Sequence, residues 1–150
     1  MAEYLTRDSV ESVALNTAIP FLDSIPCQNG NVFHQSGSGI FILNGKGSNC
    51  FARYEIEFTG NLSIPTGGAV TPIATAIVIS GEQRQGSRSI TTPAAVDSYG
   101  NVTSRTVVDV PRCCCLTASV EYVSGVTDGT TAPTPTINVI DGSVSIKRTA

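Results

Sequence analysis

The sequence predicts an all-β sandwich. Along Cys50–Phe58, apolar side chains alternate with Arg53, Glu55 and Glu57, which is the period-two pattern of a half-buried strand. The same alternation returns in 116–122 and 143–147, and no stretch of comparable strength has helical spacing. Val and Ile, which are β-branched and suit a pleated surface, far outnumber Leu and Met.

The predicted strands follow one another along the chain and are separated by turn-forming residues. Pro20 makes the first of them an edge strand, and the almost wholly apolar segment 72–80 predicts a strand buried on both faces. Asp141-Gly142 is a type I′ turn signal, so we expect a closing hairpin there. About ten short strands result, at 16–22, 31–34, 40–43, 50–58, 62–64, 72–80, 89–92, 102–110, 116–123 and in the closing hairpin 137–148.

Composition limits the possible functions. The chain has 150 residues and a net charge of -3, with only 14% charged residues, so it predicts one domain with no basic surface for nucleic acid. No apolar run is long enough to span a membrane and no signal peptide is recognisable, which predicts a protein made in the cytoplasm. The low charge fits either a surface covered by sister subunits or an ordinary Ser/Thr-rich β surface.

Five cysteines are present, and three of them are consecutive. Zinc sites usually draw on spaced Cys or His pairs, which this sequence lacks, so no metal is expected. Two interpretations stay open: small buried thiols, or a disulfide between Cys27 or Cys50 and the triple. The residues concerned are Cys27, Cys50, Cys113, Cys114 and Cys115.

Residues 1–12 stand apart from the strand pattern that begins at Val13, and they mix charges with Tyr4, Leu5 and Val10. We expect an N-terminal arm of residues 1–12, either extended or helical, followed by a domain of residues 13–150. The arm is either a tether to a larger body, with those three side chains as anchors, or a frayed tail.

Enzymatic interpretations find little support. His34 is the only histidine, and neither a G-x-S-x-G elbow nor a phosphate-binding glycine motif is present. Glu55 and Glu57 suit a glycosidase in principle, but their alternation with Arg53 along a strand indicates ion pairing instead. The sequence therefore predicts a non-enzymatic protein without a cofactor.

Several phrases resemble a known group of proteins. They are Ile19-Pro20-Phe21, Ser38-Gly39-Ile40, 49–54, 65–68, 92–96 and Val110-Pro111-Arg112. From about residue 13 to 150 the chain resembles small proteins of gut bacteria, phages and prophages with the C1q/TNF-like jelly roll. The resemblance implies a ten-stranded antiparallel jelly-roll sandwich that assembles as a homotrimer. It also places a glycine where this chain has Cys113.

The trimer implied by this resemblance turns one sheet face towards a threefold axis. On that face we expect an interface network of ion pairs, with a solvated face as the alternative. Its residues are Arg53, Glu55, Glu57, Arg105, Asp109 and Lys147.

The resemblance further implies a virion structural protein, made in the host cytoplasm. It would be a capsid decoration or head-fibre subunit whose arm docks on the major capsid protein. The alternative is an adhesin on a bacterial surface that binds a host glycan or receptor. In that case Tyr99 is the plausible loop aromatic, although the low aromatic content, 6%, weakens the idea.

Overall fold

The structure is a computed structural model. It describes residues 2–5, 11–21, 23–25, 31–35, 37–47, 50–127, 129 and 131–149, and for 2–5 and 23–25 it describes the backbone. Two residues of the sequence-based hypotheses, Val10 and Cys27, lie outside the described residues.

The described chain forms two six-stranded sheets in which every strand pairing is antiparallel. The first sheet contains β1 (Ala2–Leu5), β2 (Glu11–Ala14), β3 (Asp23–Ile25), β6 (Phe51–Ser63), β10 (Gly100–Pro111) and β12 (Thr136–Arg148). The second contains β4 (Val32–His34), β5 (Phe41–Asn44), β7 (Ile73–Ile79), β8 (Glu82–Gln83), β9 (Ser89–Thr91) and β11 (Cys115–Ser124). A 3-10 helix, Gln85–Ser87, joins β8 to β9. The all-β sandwich is thus confirmed, with twelve described strands instead of about ten.

The strand order positions the surfaces discussed below. In the first sheet the order is β10-β6-β12-β1-β3, and β2 also pairs with β12. In the second sheet the order is β4-β5-β11-β7-β8, and β9 also pairs with β7. Strand β10 therefore lies at one edge of the first sheet, beside the long central strand β6.

The core lies between the two sheets. The residues of β6 with even numbers, from Ala52 to Phe58, point into it and are fully or almost fully buried, as the alternation predicts. Phe21 packs against Phe41 and Phe58, with ring centroids 5.6 and 6.2 Å apart. Burying one such side chain stabilises the fold by about 1.5–3 kcal/mol. All of β7 is buried, which confirms the strand predicted to be covered on both faces.

Two buried tyrosines hold loops at the ends of the sandwich. The Tyr54 hydroxyl donates to the carbonyl oxygens of Asn31 and Asn44, at 3.1 and 2.5 Å. The Tyr122 hydroxyl donates to the Thr134 carbonyl at 2.5 Å, and burial raises the pKa of Tyr122 to about 12. Because a buried polar group is costly without a partner, these bonds fix where the loops lie.

The predicted hairpin at Asp141-Gly142 is wrong. Strand β12 runs through these residues as one strand, and both of its halves pair with β6. The register shifts between Ile140 and Ser143, and Asp141 has a φ of 54°. The Asp-Gly pair thus supplies the positive φ of a β-bulge instead of a turn. The predicted strands 50–58 and 62–64 are likewise one strand, because β6 continues past Gly60, opposite the bulge, to Ser63.

The first predicted strand, 16–22, is also wrong. The strand is Glu11–Ala14, and Asn16 follows it with a φ of 60°. Here the chain crosses between the sheets, because Leu15 N–H donates to Pro135 beside β12 while Asn16 N–H donates to Tyr122 of β11. Beyond that point Ala18 forms only an isolated bridge, and Phe21 is buried in the core.

The N-terminal segment contributes backbone to the first sheet. Ala2–Leu5 pairs with Ser143–Ile146 of β12 on one side and with β3 on the other. The segment is therefore extended at these residues. The division between an arm of residues 1–12 and a domain of residues 13–150 stays a prediction, and its boundary falls inside β2.

Candidate interaction face of the first sheet

The six residues predicted to form an interface lie on one surface, the outward face of β10, β6 and β12. On these strands they alternate with side chains that point into the core, so the pleat turns them to the opposite side. The register sets Asp109 beside Arg53, Arg105 beside Glu57, and Lys147 beside Glu55. We call this set the charged face: Arg53, Glu55, Glu57, Arg105, Asp109 and Lys147.

Two ion pairs link β6 to β10 on the charged face. Arg53 donates through Nε and Nη2 to both carboxylate oxygens of Asp109, at 2.8 and 3.1 Å. Arg105 donates diagonally to Glu55 Oε1 at 2.8 Å. Hydrogen bonding from Arg53 lowers the pKa of Asp109, and Asp109 in turn raises the pKa of Arg53. Because all four side chains are substantially exposed, each pair adds little stability to the single chain.

The other two charges are available for a partner. Among the described residues, Glu57 and Lys147 form no ion pair within 4 Å. The three cations of the charged face balance its three anions, so the face has no net charge. A neutral surface that carries both an unused anion and an unused cation is complementary to a second copy of itself.

Sequence reasoning missed two apolar residues on the same surface. Phe51 and Val107 remain 39% and 47% exposed, and the Arg53 guanidinium carbon lies 5.2 Å from the centre of the Phe51 ring. Residue parity could have identified them. Phe51 has the same odd-numbered parity as Arg53 on one strand, and Val107 has the same parity as Arg105 and Asp109 on the other. Apolar groups between charges give a contact surface something to bury.

The described cysteines lie at one end of the sandwich. Cys50, Cys113, Cys114 and Cys115 are all exposed and none forms a disulfide, so their interpretation as buried thiols is wrong. The triple begins in the turn between β10 and β11, where Cys114 N–H donates to the Pro111 carbonyl at 3.0 Å. Within the described parts of the chain, no group of Cys, His, Asp or Glu is arranged to hold a metal ion.

The turn after β10 explains the glycine that the resemblance implies. Cys113 is the third residue of the turn 111–114 and has a φ of 65°. A positive φ at this position is what a type II turn requires, and glycine adopts it without steric strain. This chain therefore holds a thiol side chain in a conformation that suits glycine.

The remaining candidate residues belong to other strands or loops than the six residues of the charged face. The backbone of Tyr4 and Leu5 belongs to β1. His34 Nε2 donates to the Ser38 carbonyl at 2.7 Å, and its ring stacks on Phe41, which is a packing role. Tyr99 is 46% exposed. Within the described ranges, no helix is long and apolar enough to cross a membrane.

The two antiparallel sheets, together with the solved structures below, show that the chain has the C1q/TNF-like jelly-roll fold. No family model matches the sequence, and no curated protein matches it either. Solved structures do match over nearly the whole chain.

The globular domain of the zebrafish complement 1qA protein is 12% identical, with a TM-score of 0.58, over 95% of this chain and 93% of that chain. Eiger TNF from S. frugiperda is 7% identical, with a TM-score of 0.63, over 100% and 92%. Murine APRIL is 12% identical, with a TM-score of 0.53, over 96% and 97%. Identities this low show a shared fold alone.

Proposed function

We propose that this protein is a non-enzymatic structural subunit of a phage virion, a homotrimeric capsid decoration or head-fibre protein. The observation that carries the proposal is the charged face, which is neutral overall and lies on an exposed sheet of a C1q/TNF-like sandwich. The resemblance to phage, prophage and gut-bacterial proteins supports the virion setting.

In the proposed trimer, the charged faces of three copies meet near a threefold axis. Glu57 of one copy then finds Lys147 of the next, while Phe51 and Val107 lose their contact with water. Leaving any charge buried without a partner would cost several kcal/mol, so the balance of three cations and three anions is what permits the contact.

Charge reversal tests the threefold contact. Glu57→Lys is expected to lower the trimer population, and adding Lys147→Glu is expected to restore it, because the pair between copies is regained with its signs exchanged. Light scattering after size-exclusion chromatography measures the mass, and Glu82→Lys on the second sheet is the matched control. A native protein that stays monomeric at every concentration refutes the trimer. A Glu57→Lys protein with unchanged mass refutes the network.

Attachment is proposed to occur through the N-terminal arm, with Tyr4, Leu5 and Val10 as anchors on the major capsid protein. Three arms that engage together raise the apparent affinity by effective concentration, even where one contact is weak. Deleting the arm would also remove β1, which pairs with β12. The sharper variant replaces the three anchors with serine and keeps the backbone.

Gene order identifies the capsid protein for this test, since a virion subunit is expected to be encoded beside its major capsid gene. The triple serine variant should keep the native mass but no longer sediment with assembled capsids. Capsid binding that survives the three substitutions refutes the tether.

A second candidate function is a bacterial surface adhesin that binds a host glycan or receptor. The exposure of Tyr99 favours it, because sugar rings stack on exposed aromatic side chains. Specific signals on a glycan array that disappear with Tyr99→Ala would favour the adhesin over the virion protein. A glycan array without Tyr99-dependent signals would refute the adhesin.

A further inference from the structure

The backbone of β10 has an open edge. Arg53 of β6 accepts a hydrogen bond from Thr149 beyond β12, so odd-numbered residues of β6 point their backbone groups towards β12 and even-numbered ones towards β10. On β10, the residues that lie opposite even-numbered residues of β6 are Thr106, Val108 and Val110. Their backbone groups therefore form the hydrogen bonds to β6. It follows that Arg105, Val107 and Asp109 point their N–H and C=O groups away from β6.

The open edge is short and has defined ends. Among the described residues, no backbone group of Arg105, Val107 or Asp109 on this side has a hydrogen-bond partner. At one end Thr103 N–H already donates to Ser89 Oγ at 3.4 Å. The 3-10 helix Gln85–Ser87 also contacts β10, but it forms no backbone hydrogen bond with residues 105–109. At the other end Pro111 has no N–H to offer. Only residues 105–109 are therefore free to accept another strand, and we call them the open edge.

We propose that the open edge pairs with the open edge of a second copy of this chain, antiparallel and about a two-fold axis at Val107. In this register Val107 faces Val107 of the second copy, and Arg105 faces Asp109 of the second copy. Each of these residue pairs exchanges two backbone hydrogen bonds, as hydrogen-bonded pairs of antiparallel strands do. The first sheets of the two copies then become one continuous sheet.

The charge pattern of the open edge favours a second copy of this chain as its partner. Read antiparallel to itself, Arg-x-Val-x-Asp sets opposite charges against each other on both sides of Val107. Centring the pairing on Arg105 or on Asp109 instead sets like charges face to face, which is unfavourable. The Arg53–Asp109 ion pair extends the pattern, because the row across both copies alternates from Arg53 to Asp109, then to Arg105 and Glu57 of the second copy.

The exposure of Val107 fits the same arrangement. It is one of the few large apolar side chains exposed on the first sheet, at 47%, and the two-fold axis would bury it against its own copy. The contact uses the strand edge, whereas the proposed trimer uses the sheet face, so this inference does not rest on the trimer. Since the paired segment is short, the association is expected to be weak and concentration-dependent.

Amide hydrogen exchange of the unmodified protein is the direct test. The amides of Thr106, Val108 and Val110 should exchange slowly at any concentration, because β6 holds them. Those of Arg105, Val107 and Asp109 should exchange rapidly in dilute solution and become protected as the protein concentration rises. Rapid exchange of these three amides at every concentration overturns the proposal, even if the protein forms trimers.

Two substitutions at Val107 give an independent test. Val107→Pro removes an N–H that β6 does not use, so the fold should persist while the association between edges weakens by at least about tenfold. Val107→Glu sets like charges together at the two-fold axis, and Ile90→Glu, at a residue of equal 47% exposure, is its matched control.

The expected mass pattern distinguishes the two contacts. Pairing of edges at least doubles the mass of whatever unit exists in dilute solution, from one copy to two or, because a trimer has three open edges, from three copies to six or more. Val107→Pro and Val107→Glu should abolish the doubling and Ile90→Glu should retain it. Because the proposed trimer also buries the Val107 side chain, Val107→Glu reports on the doubling and not on the mass of the unit in dilute solution. Doubling that persists in Val107→Pro overturns the proposal, and if that variant does not fold, the exchange test decides.

Discussion

Tyr122 should make the fold sensitive to alkaline pH. Its side chain is fully buried, its hydroxyl donates to the Thr134 carbonyl, and burial raises its pKa to about 12 from an ordinary value near 10. The folded-state pKa thus lies above the unfolded-state value. The contribution of Tyr122 to stability is therefore fully present below about pH 10 and is lost as the pH rises through 12, because the unfolded chain ionises first.

The size of this loss follows from the pKa difference. Each pKa unit corresponds to about 1.4 kcal/mol, so a difference of about two units removes up to about 3 kcal/mol between pH 10 and pH 12. Tyr122→Phe cannot ionise, but it leaves the Thr134 carbonyl without its donor, which costs about 1–2 kcal/mol at neutral pH. The native protein should therefore be the more stable of the two at pH 8, and the order should reverse near pH 12.

Urea unfolding of both proteins between pH 8 and pH 12, under reducing conditions, measures this difference. Subtracting the two free energies of unfolding cancels the titration of lysines, thiols and other shared groups. Tyr99→Phe, which changes an exposed tyrosine in the same way, is the matched control. A difference between native protein and Tyr122→Phe that stays constant from pH 9 to pH 12 would refute the assignment of a buried, proton-donating hydroxyl.

Three further changes have expected outcomes. Cys113→Gly should raise the melting temperature, with a gain of up to about 1 kcal/mol from relief of the positive φ, whereas Cys114→Gly should not. In thermal melts, the stability advantage of the native protein over Asp109→Asn should shrink as the pH falls below about 4. Arg53 lowers the pKa of Asp109, and protonation of Asp109 ends the ion pair. Ser104→Ala should lower the free energy of unfolding in urea by about 1–3 kcal/mol. The buried hydroxyl of Ser104, on β10, hydrogen-bonds Thr75 of β7 and so links the two sheets.

The sequence predicted the parts of the fold that depend on local pattern. Alternation along 50–58 identified β6 and assigned Arg53, Glu55 and Glu57 to its outward face, and the apolar run 72–80 identified a strand covered on both faces. These features can be predicted from the sequence because the direction of a side chain in a strand depends on residue parity alone. The charged face was predictable for the same reason, once its three strands were adjacent.

The errors lie where local chemistry has two outcomes. Asp141-Gly142 allows a positive φ in a hairpin turn or in a bulge, and only the pairing of both halves of β12 with β6 decides between them. Asn16 likewise was predicted to begin a strand, but it follows the end of one and has a positive φ. The exposure of Cys113 depends on the turn at 111–114, which places the thiols beyond the end of the core. Such outcomes depend on contacts between distant residues, which a local pattern does not contain.

The position of β10 in the sheet links the two proposed contacts. Arg105, Val107 and Asp109 present their side chains to the charged face and their backbone groups to the open edge, because they alternate with residues that bond to β6. Changing the charges at residues 105 and 109 therefore perturbs both contacts and does not distinguish the contact of the charged face from that of the open edge. Removing one N–H at Val107 perturbs the edge, while Glu57 and Lys147, on strands away from that edge, report on the face. A protein that loses one association and keeps the other would show that a single strand supports two independent contacts.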